Sequence, residues 1–358
     1  MALWEEGLMN VGERETKWLF VILFTSQFLL GAVRTFAICG TSAAALSALL
    51  CSVVPIVLLC AAEKLSGGLG GDFTQILQRC YGKCAAAVIE LIIFALAVSN
   101  ASLRLKAFVT ALSRTVYPGT PNLYLTAFFT FVMLCVCFLG AENITRYARL
   151  VGIGLSLVLV LVLAMAVPHF EEANICPVFG SGAAGILRGT FAAQAFADVI
   201  YLYFIGRLLR NDGAPLRVGI KAAVISAVII VIVTLTYALC VPYPASSVYE
   251  YPFFRLATLA NASVLFQRLD GAVYITWIFA GFICTGALAL FCSMIFADGF
   301  KCSDYKGSAP LVVLIISALS LSSLKAVKIL NTAFAPSVLA VILITALIYR
   351  TRGGKNEN

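Results

Sequence analysis

The chain has 358 residues, of which 61% are hydrophobic and only 12% charged, with a mean hydropathy of +1.00. A water-soluble domain carries about 25% charged residues, so the composition excludes a soluble globular body and makes the bilayer the solvent. The net charge of +8 is spread along the connections without a basic stripe, which argues against nucleic-acid binding and leaves membrane topology as its use.

The first residues, 1–16, form a polar tail. The first apolar run is too long for the core of a cleaved signal, so it is expected to act as its own insertion signal. It is the first of ten spans predicted from the apolar runs, at about 17–37, 40–62, 84–108, 121–140, 147–167, 184–208, 216–241, 269–297, 309–325 and 328–349. A helix needs about 20 apolar residues to cross. Val151 to Val167, an uncharged stretch that stops at Pro168, shows the pattern most cleanly.

Polar groups inside spans are the informative positions, because a charge at the bilayer centre costs about 2.5–3.5 kcal/mol. In the first span Gln27, Gly31 and Arg34 fall at i, i+4 and i+7, on one helix face. Gly31 weakens the helix locally and admits a close neighbour, while Arg34, near the outer end, can snorkel. After the second span, Gly67–Gly71 lacks the Gly-Lys-Ser/Thr ending of a phosphate loop. It reads as a turn into an interfacial amphipathic helix beginning at Phe73.

The third span carries Glu90, Asn100 and Arg104. Asn100 lies deep, where a hydrogen bond between helices is its default role. The loop His169 to Ser181, after the fifth span, has two Glu and no Lys or Arg, as an outside loop should. In the sixth span Gln194, Asp198 and Tyr201 again share one face at i, i+4 and i+7. Asp198 reads either as a ligand, ion or proton site or as one half of a hydrogen bond to a Ser, Thr or Tyr of another helix. The eighth span opens with Arg268 and Asp270 and continues to Trp277 and Gly281. Trp277 lies too deep for an interfacial anchor, so it packs inside or lines a cavity.

With the N-terminus in the cytoplasm, Arg14, Lys17, Lys64, Arg79, Lys83, Arg146 and Arg149 all fall on the cytoplasmic side. An even number of spans then returns the C-terminal tail, 350–358, to that side. The expected fold is an all-α integral membrane bundle, a single membrane domain of two five-span inverted repeats at about 17–167 and 184–349. In such folds the first helix of each half is interrupted and the two meet at a midplane site. Candidate ligand-binding residues are therefore Gln27, Gly31, Asn100, Gln194, Asp198, Tyr201, Trp277 and Gly281.

Of the 12 cysteines, Cys51, Cys60, Cys135, Cys137, Cys240, Cys284 and Cys292 lie in apolar runs, where Cys acts as a small hydrophobe. With a single histidine, His169, and no nucleophile elbow or Walker motif, the chain is expected to be neither an enzyme nor a cofactor or metal protein.

The ordered motifs resemble a known family. Tyr251-Pro252 and Arg255, then Arg268-Leu269-Asp270, then Trp277-Ile278-Phe279-Ala280-Gly281-Phe282 follow the pattern of the permease-like B subunit of spore germinant receptors, in the amino acid–polyamine–organocation superfamily. Pro118-Gly119-Thr120-Pro121 and Gly140-Ala141-Glu142 through Arg146 fit the same pattern, as do Ile76 to Lys83 and Asp304 to Pro310.

The resemblance implies a sensor of a small nutrient such as an amino acid. It would work with A-type and lipoprotein C-type subunits in the inner membrane of a spore-forming bacterium, in contact with lipid and not with nucleic acid. A secondary active amino acid transporter is the alternative, and a non-binding structural partner the third reading. The chain departs from the family pattern at two places. The family's Phe-Pro-Phe-Gly-Glu break is Gln194-Ala195-Phe196-Ala197-Asp198 here, and alanine favours a continuous helix. A position in span 8 where the family often has Lys is Cys284.

Overall fold

The fold is seen in a computed structural model that describes residues 11–66, 73–192, 197–205, 215–243, 245–260, 269–300, 302, 304–322 and 324–353. Its described elements are helices linked by short connections. That is the outcome the sequence composition demands, since only a helix satisfies every backbone group of an isolated crossing segment in lipid.

The chain begins with α1 (Glu13–Gln27), a π-helical turn (Phe28–Ala32) and α2 (Val33–Gly40), followed by α3 (Ala44–Ser66) and the amphipathic α4 (Phe73–Tyr81). Next come α5 (Lys83–Thr115), α6 (Asn122–Leu139) and α7 (Ala141–Ala166). The second half holds α8 (Gly182–Ala192), a 3-10 turn (Ala197–Ile200), α9 (Tyr201–Ile205), α10 (Pro215–Cys240), α11 (Ala245–Val248) and α12 (Pro252–Ala260). It closes with α13 (Leu269–Gly299), α14 (Tyr305–Leu321) and α15 (Lys325–Gly353).

Among the described residues six helical stretches are long and apolar enough to cross a bilayer, and a seventh results if α14 and the start of α15, bent by 108°, count as one. This establishes a multi-pass protein without confirming the count of ten. The shortfall has a physical origin. Four expected spans are missing from the six: the described pieces of the first and sixth, α1, α2, α8 and α9, are each 15 residues or shorter, and the ninth and tenth, α14 and α15, enter only as the bent pair. At Gly31 (φ 178°, ψ −11°) the backbone leaves helical geometry inside the π-helical turn. In the sixth, Ala197–Ile200 is wound as a 3-10 turn.

Helix α13 is the central post, with 83% of its most apolar stretch buried, against 28% for α6 and for α7. The latter two turn Phe131, Leu139, Leu150 and Leu157 outward, a lipid-facing surface. Around α13 pack α1, α5, α6, α7 and α14, while α10 and α15 lie against α3. Helix α8 packs on α2 and α3 through glycines. A Cβ on Gly185 would lie 2.5 Å from the Cys39 carbonyl, and one on Gly189 would lie 3.0 Å from Ser47 Oγ. Small residues at i and i+4 allow helices to approach this closely in membranes.

Local sequence explains the joints. Gly140 (φ +86°) turns the chain between α6 and α7 in a conformation that L side chains rarely adopt. Asp304 caps α14 by accepting the Lys306 backbone N–H at 3.0 Å.

Candidate functional site

Two interruptions and one long helix converge on a single buried cluster. Asp198, in the 3-10 turn, is fully buried, and its carboxylate is ion-paired with Arg104 of α5. Its other oxygen, Oδ1, accepts from Asn100 Nδ2 at 3.0 Å. Asn100 and Arg104 are one turn apart on α5, so the i, i+4 relation aims both at one acceptor. Each side chain of the pair is 5% exposed or less.

Arg104 is also tied to the first half. Its Nη1 donates to the Leu23 carbonyl of α1 at 3.0 Å. That carbonyl lies close to where α1 stops and the π-helical turn begins, and Ser26 Oγ also donates to it, at 3.1 Å. A cation at a helix C-terminus is favourable by about 0.3–1 kcal/mol, and more when partly buried. Cys284 of α13 completes the cluster, its sulfur 3.2 Å from Ser26 Oγ and 3.6 Å from Arg104 Nη1. The position where the resembled family often carries Lys is therefore beside the guanidinium.

The pair is expensive in isolation, because taking two charges out of water costs several kcal/mol per ion. Asn100 and the Leu23 carbonyl supply the further hydrogen bonds that make it tolerable. Tyr201, fully buried at the start of α9, stacks on Phe291 of α13 with centroids 5.0 Å apart and planes 11° apart. It lies within electrostatic reach of both Asp198 and Arg104.

Beyond the cluster on α5 comes Phe108, one turn past Arg104. Its ring packs on Trp277 of α13 at 5.2 Å, and Trp277 meets Phe254 of α12 edge-on at 5.0 Å. Gly281 lets Phe108 lie against α13: a Cβ there would fall 2.9 Å from the ring. Trp277 is 1% exposed, and its indole N–H finds no hydrogen-bond partner among the described residues.

Of the residues singled out in the sequence, the structure brings Asn100, Asp198 and Tyr201 together. Trp277 and Gly281 belong to the adjoining aromatic packing, and Gly31 lines a separate cavity toward the far end of α5. Thr120 and Pro121 lie where α6 begins, Pro121 being its N-cap. Arg146 is ion-paired with Glu142 one turn earlier on exposed surface. Gln194 and Arg268 lie outside the described residues, as do the side chains of Gln27 and Asp270.

Arg104 was legible as an in-span charge but not as the partner of Asp198, for which the sequence left open a ligand, ion or proton site or a hydrogen bond to a Ser, Thr or Tyr. The usable signal was its i, i+4 spacing from Asn100. The contribution of the Leu23 carbonyl had no signal at all, since every residue carries one.

Comparison with known proteins bears on the fold and the family. The structure is similar to that of MHP1, a nucleobase-cation-symport-1 family transporter in a closed conformation with bromovinylhydantoin bound. The TM-score is 0.65 at 11% identity, over 94% of this chain and 78% of that one. At that identity the likeness speaks to fold alone. No curated protein matches the sequence. The family model described as spore germination protein matches residues 15–328. A multi-pass helical bundle with a transporter fold, a buried charged centre between interrupted helices and this match over most of its length, the chain belongs to the spore germination protein family of permease-like membrane proteins.

Proposed function

We propose that this protein is the transporter-like subunit of a spore germinant receptor, and that it senses a small zwitterionic nutrient, an amino acid, at the Arg104–Asp198 cluster. The observation that carries the reading is this ion pair, held where α1 ends and the Ala197–Ile200 turn begins. An amino acid presents an ammonium and a carboxylate, the same two charges as the pair. It can exchange with the pair by giving its ammonium to Asp198 and its carboxylate to Arg104. That exchange would break the link between α5, α1 and the turn. A ligand shifts a conformational equilibrium only through such differential contacts. The five-plus-five arrangement, an inner-membrane location, cytoplasmic termini and partnership with A-type and C-type subunits belong to the same reading.

The test is genetic. Spores lacking this protein should lose the response to at least one amino acid and regain it on complementation. An intact response to every nutrient that triggers the parent spores would refute the role.

Secondary active transport is the second reading, favoured by the fold shared with a symporter. Uptake of radiolabelled amino acids into proteoliposomes separates the two: concentrative flux supports transport, and binding without flux supports sensing.

A further inference from the structure

A cavity of about 380 Å³ opens beside the far end of α5, lined among the described residues by α2, α5 and the segment before α12. We propose that this vestibule is a second binding site, distinct from the Asp198 cluster, for a small carboxylate-bearing solute. Its volume lies in the range of small-molecule pockets.

Charge decides the ligand class. Arg34 of α2 and Lys106 of α5 both line the cavity, as does Glu250. Glu250 is already ion-paired with Arg114. Arg34 Nε donates to the Ser247 carbonyl at 3.3 Å, and Lys106 Nζ donates to the Ser322 carbonyl at 2.7 Å. These partners are neutral main-chain groups. They hold the two cations in place without cancelling their charge. Among the described residues neither cation is in a salt bridge, so the cavity keeps two unneutralised positive charges. A guanidinium and an ammonium lining one cavity of this size suit a carboxylate.

Specificity beyond charge comes from the wall. Thr35, Thr110 and Tyr251 supply hydroxyls, while Gly31 leaves open space where a side chain would stand. Burial, with Glu250 nearby, pushes the Tyr251 phenol above its usual range, so it stays a neutral donor. Lys106 is two residues from Arg104 but lines this cavity, whereas Arg104 is buried against Asp198. The two sites therefore use different, adjoining faces of α5.

The experiment uses the full-length protein in phosphatidylcholine nanodiscs, with radiolabelled succinate as the anionic probe and putrescine as the cationic control. Succinate should bind saturably and putrescine should not. The double variant Arg34→Gln/Lys106→Met should weaken succinate binding at least tenfold, while Lys106→Arg should retain it within about threefold. Circular dichroism and monodisperse elution check that the variants are folded. The proposal is overturned by absent or non-saturable succinate binding, or by equal binding of putrescine. It is overturned equally by succinate binding that survives the double variant. Loss of binding in Asp198→Asn but not in the double variant would place the anion in the central cluster instead. If adding phosphatidylglycerol to the nanodisc abolishes succinate binding, the vestibule holds a lipid headgroup and the solute assignment fails.

Discussion

The guanidinium of Arg104 and the carboxylate of Asp198 form an ion pair in which neither side chain is more than 5% exposed. They come from different helices, 94 residues apart in sequence. Removing one partner leaves a buried charge uncompensated, whereas removing both does not. Asp198→Ala and Arg104→Ala should each destabilise the protein by about 3–5 kcal/mol. The double variant Arg104→Met/Asp198→Leu should recover most of that loss yet fail to restore a nutrient response. Thermal unfolding in detergent measures the first effect and germination of complemented spores the second.

Asn100 holds the same carboxylate from one turn away. Asn100→Leu removes a hydrogen bond to a charged group, worth about 1.5–3 kcal/mol, and lets Asp198 rotate. The expected result is a weaker amino acid response, seen as a shift of the dose–response curve to higher nutrient concentration. An unshifted curve would show that Asn100 only packs.

Much of this was legible beforehand. The all-helical membrane class follows from composition, and the convergence of Asn100, Asp198 and Tyr201 follows from in-span polarity. Whether the sixth span is broken was left open by the sequence, because the inverted-repeat fold calls for an interruption while helix propensity favours the alanines at 195 and 197. The structure winds Ala197–Ile200 as a 3-10 turn all the same, and there Asp198 meets Arg104 and Asn100. Leaving either buried charge without its partner would cost about 3–5 kcal/mol, more than the few tenths of a kcal/mol by which propensity distinguishes most residues. The aromatic contacts of Phe108 and Phe254 were hidden for a different reason: the chain has 25 Phe, so no single one stands out.

Gly281 was expected to line a ligand site, and the structure places it against Phe108. Gly281→Val should therefore force the ring aside and cost about 1–3 kcal/mol of stability by overpacking. A companion change, Phe108→Ala, should relieve part of the cost. A double-mutant cycle on thermal stability reads the coupling, and additive effects would argue that the two residues do not touch.

Rings run without a gap from the vestibule to α5. Tyr251 lines the vestibule and lies 6.1 Å from Phe254, which packs on Trp277, which packs on Phe108. Trp277→Ala should cost about 3–5 kcal/mol. Trp277→Phe should cost much less, since the indole N–H has no partner among the described residues to lose. Comparing the two variants by thermal unfolding checks whether Trp277 acts through ring packing or through its N–H.

The most direct test of the account is the nutrient dose–response of spores in which Asp198→Asn is the only copy of this protein, with its amount in the membrane confirmed by immunoblot. Asparagine keeps the shape of the side chain and removes the charge that an ammonium group would meet. The account expects a reduced amount of protein, because Arg104 loses its counter-charge, and, with expression raised to match the parent level, a response lost, or shifted at least tenfold, for the amino acid that the parent spores sense. An unchanged dose–response at normal protein levels would contradict it.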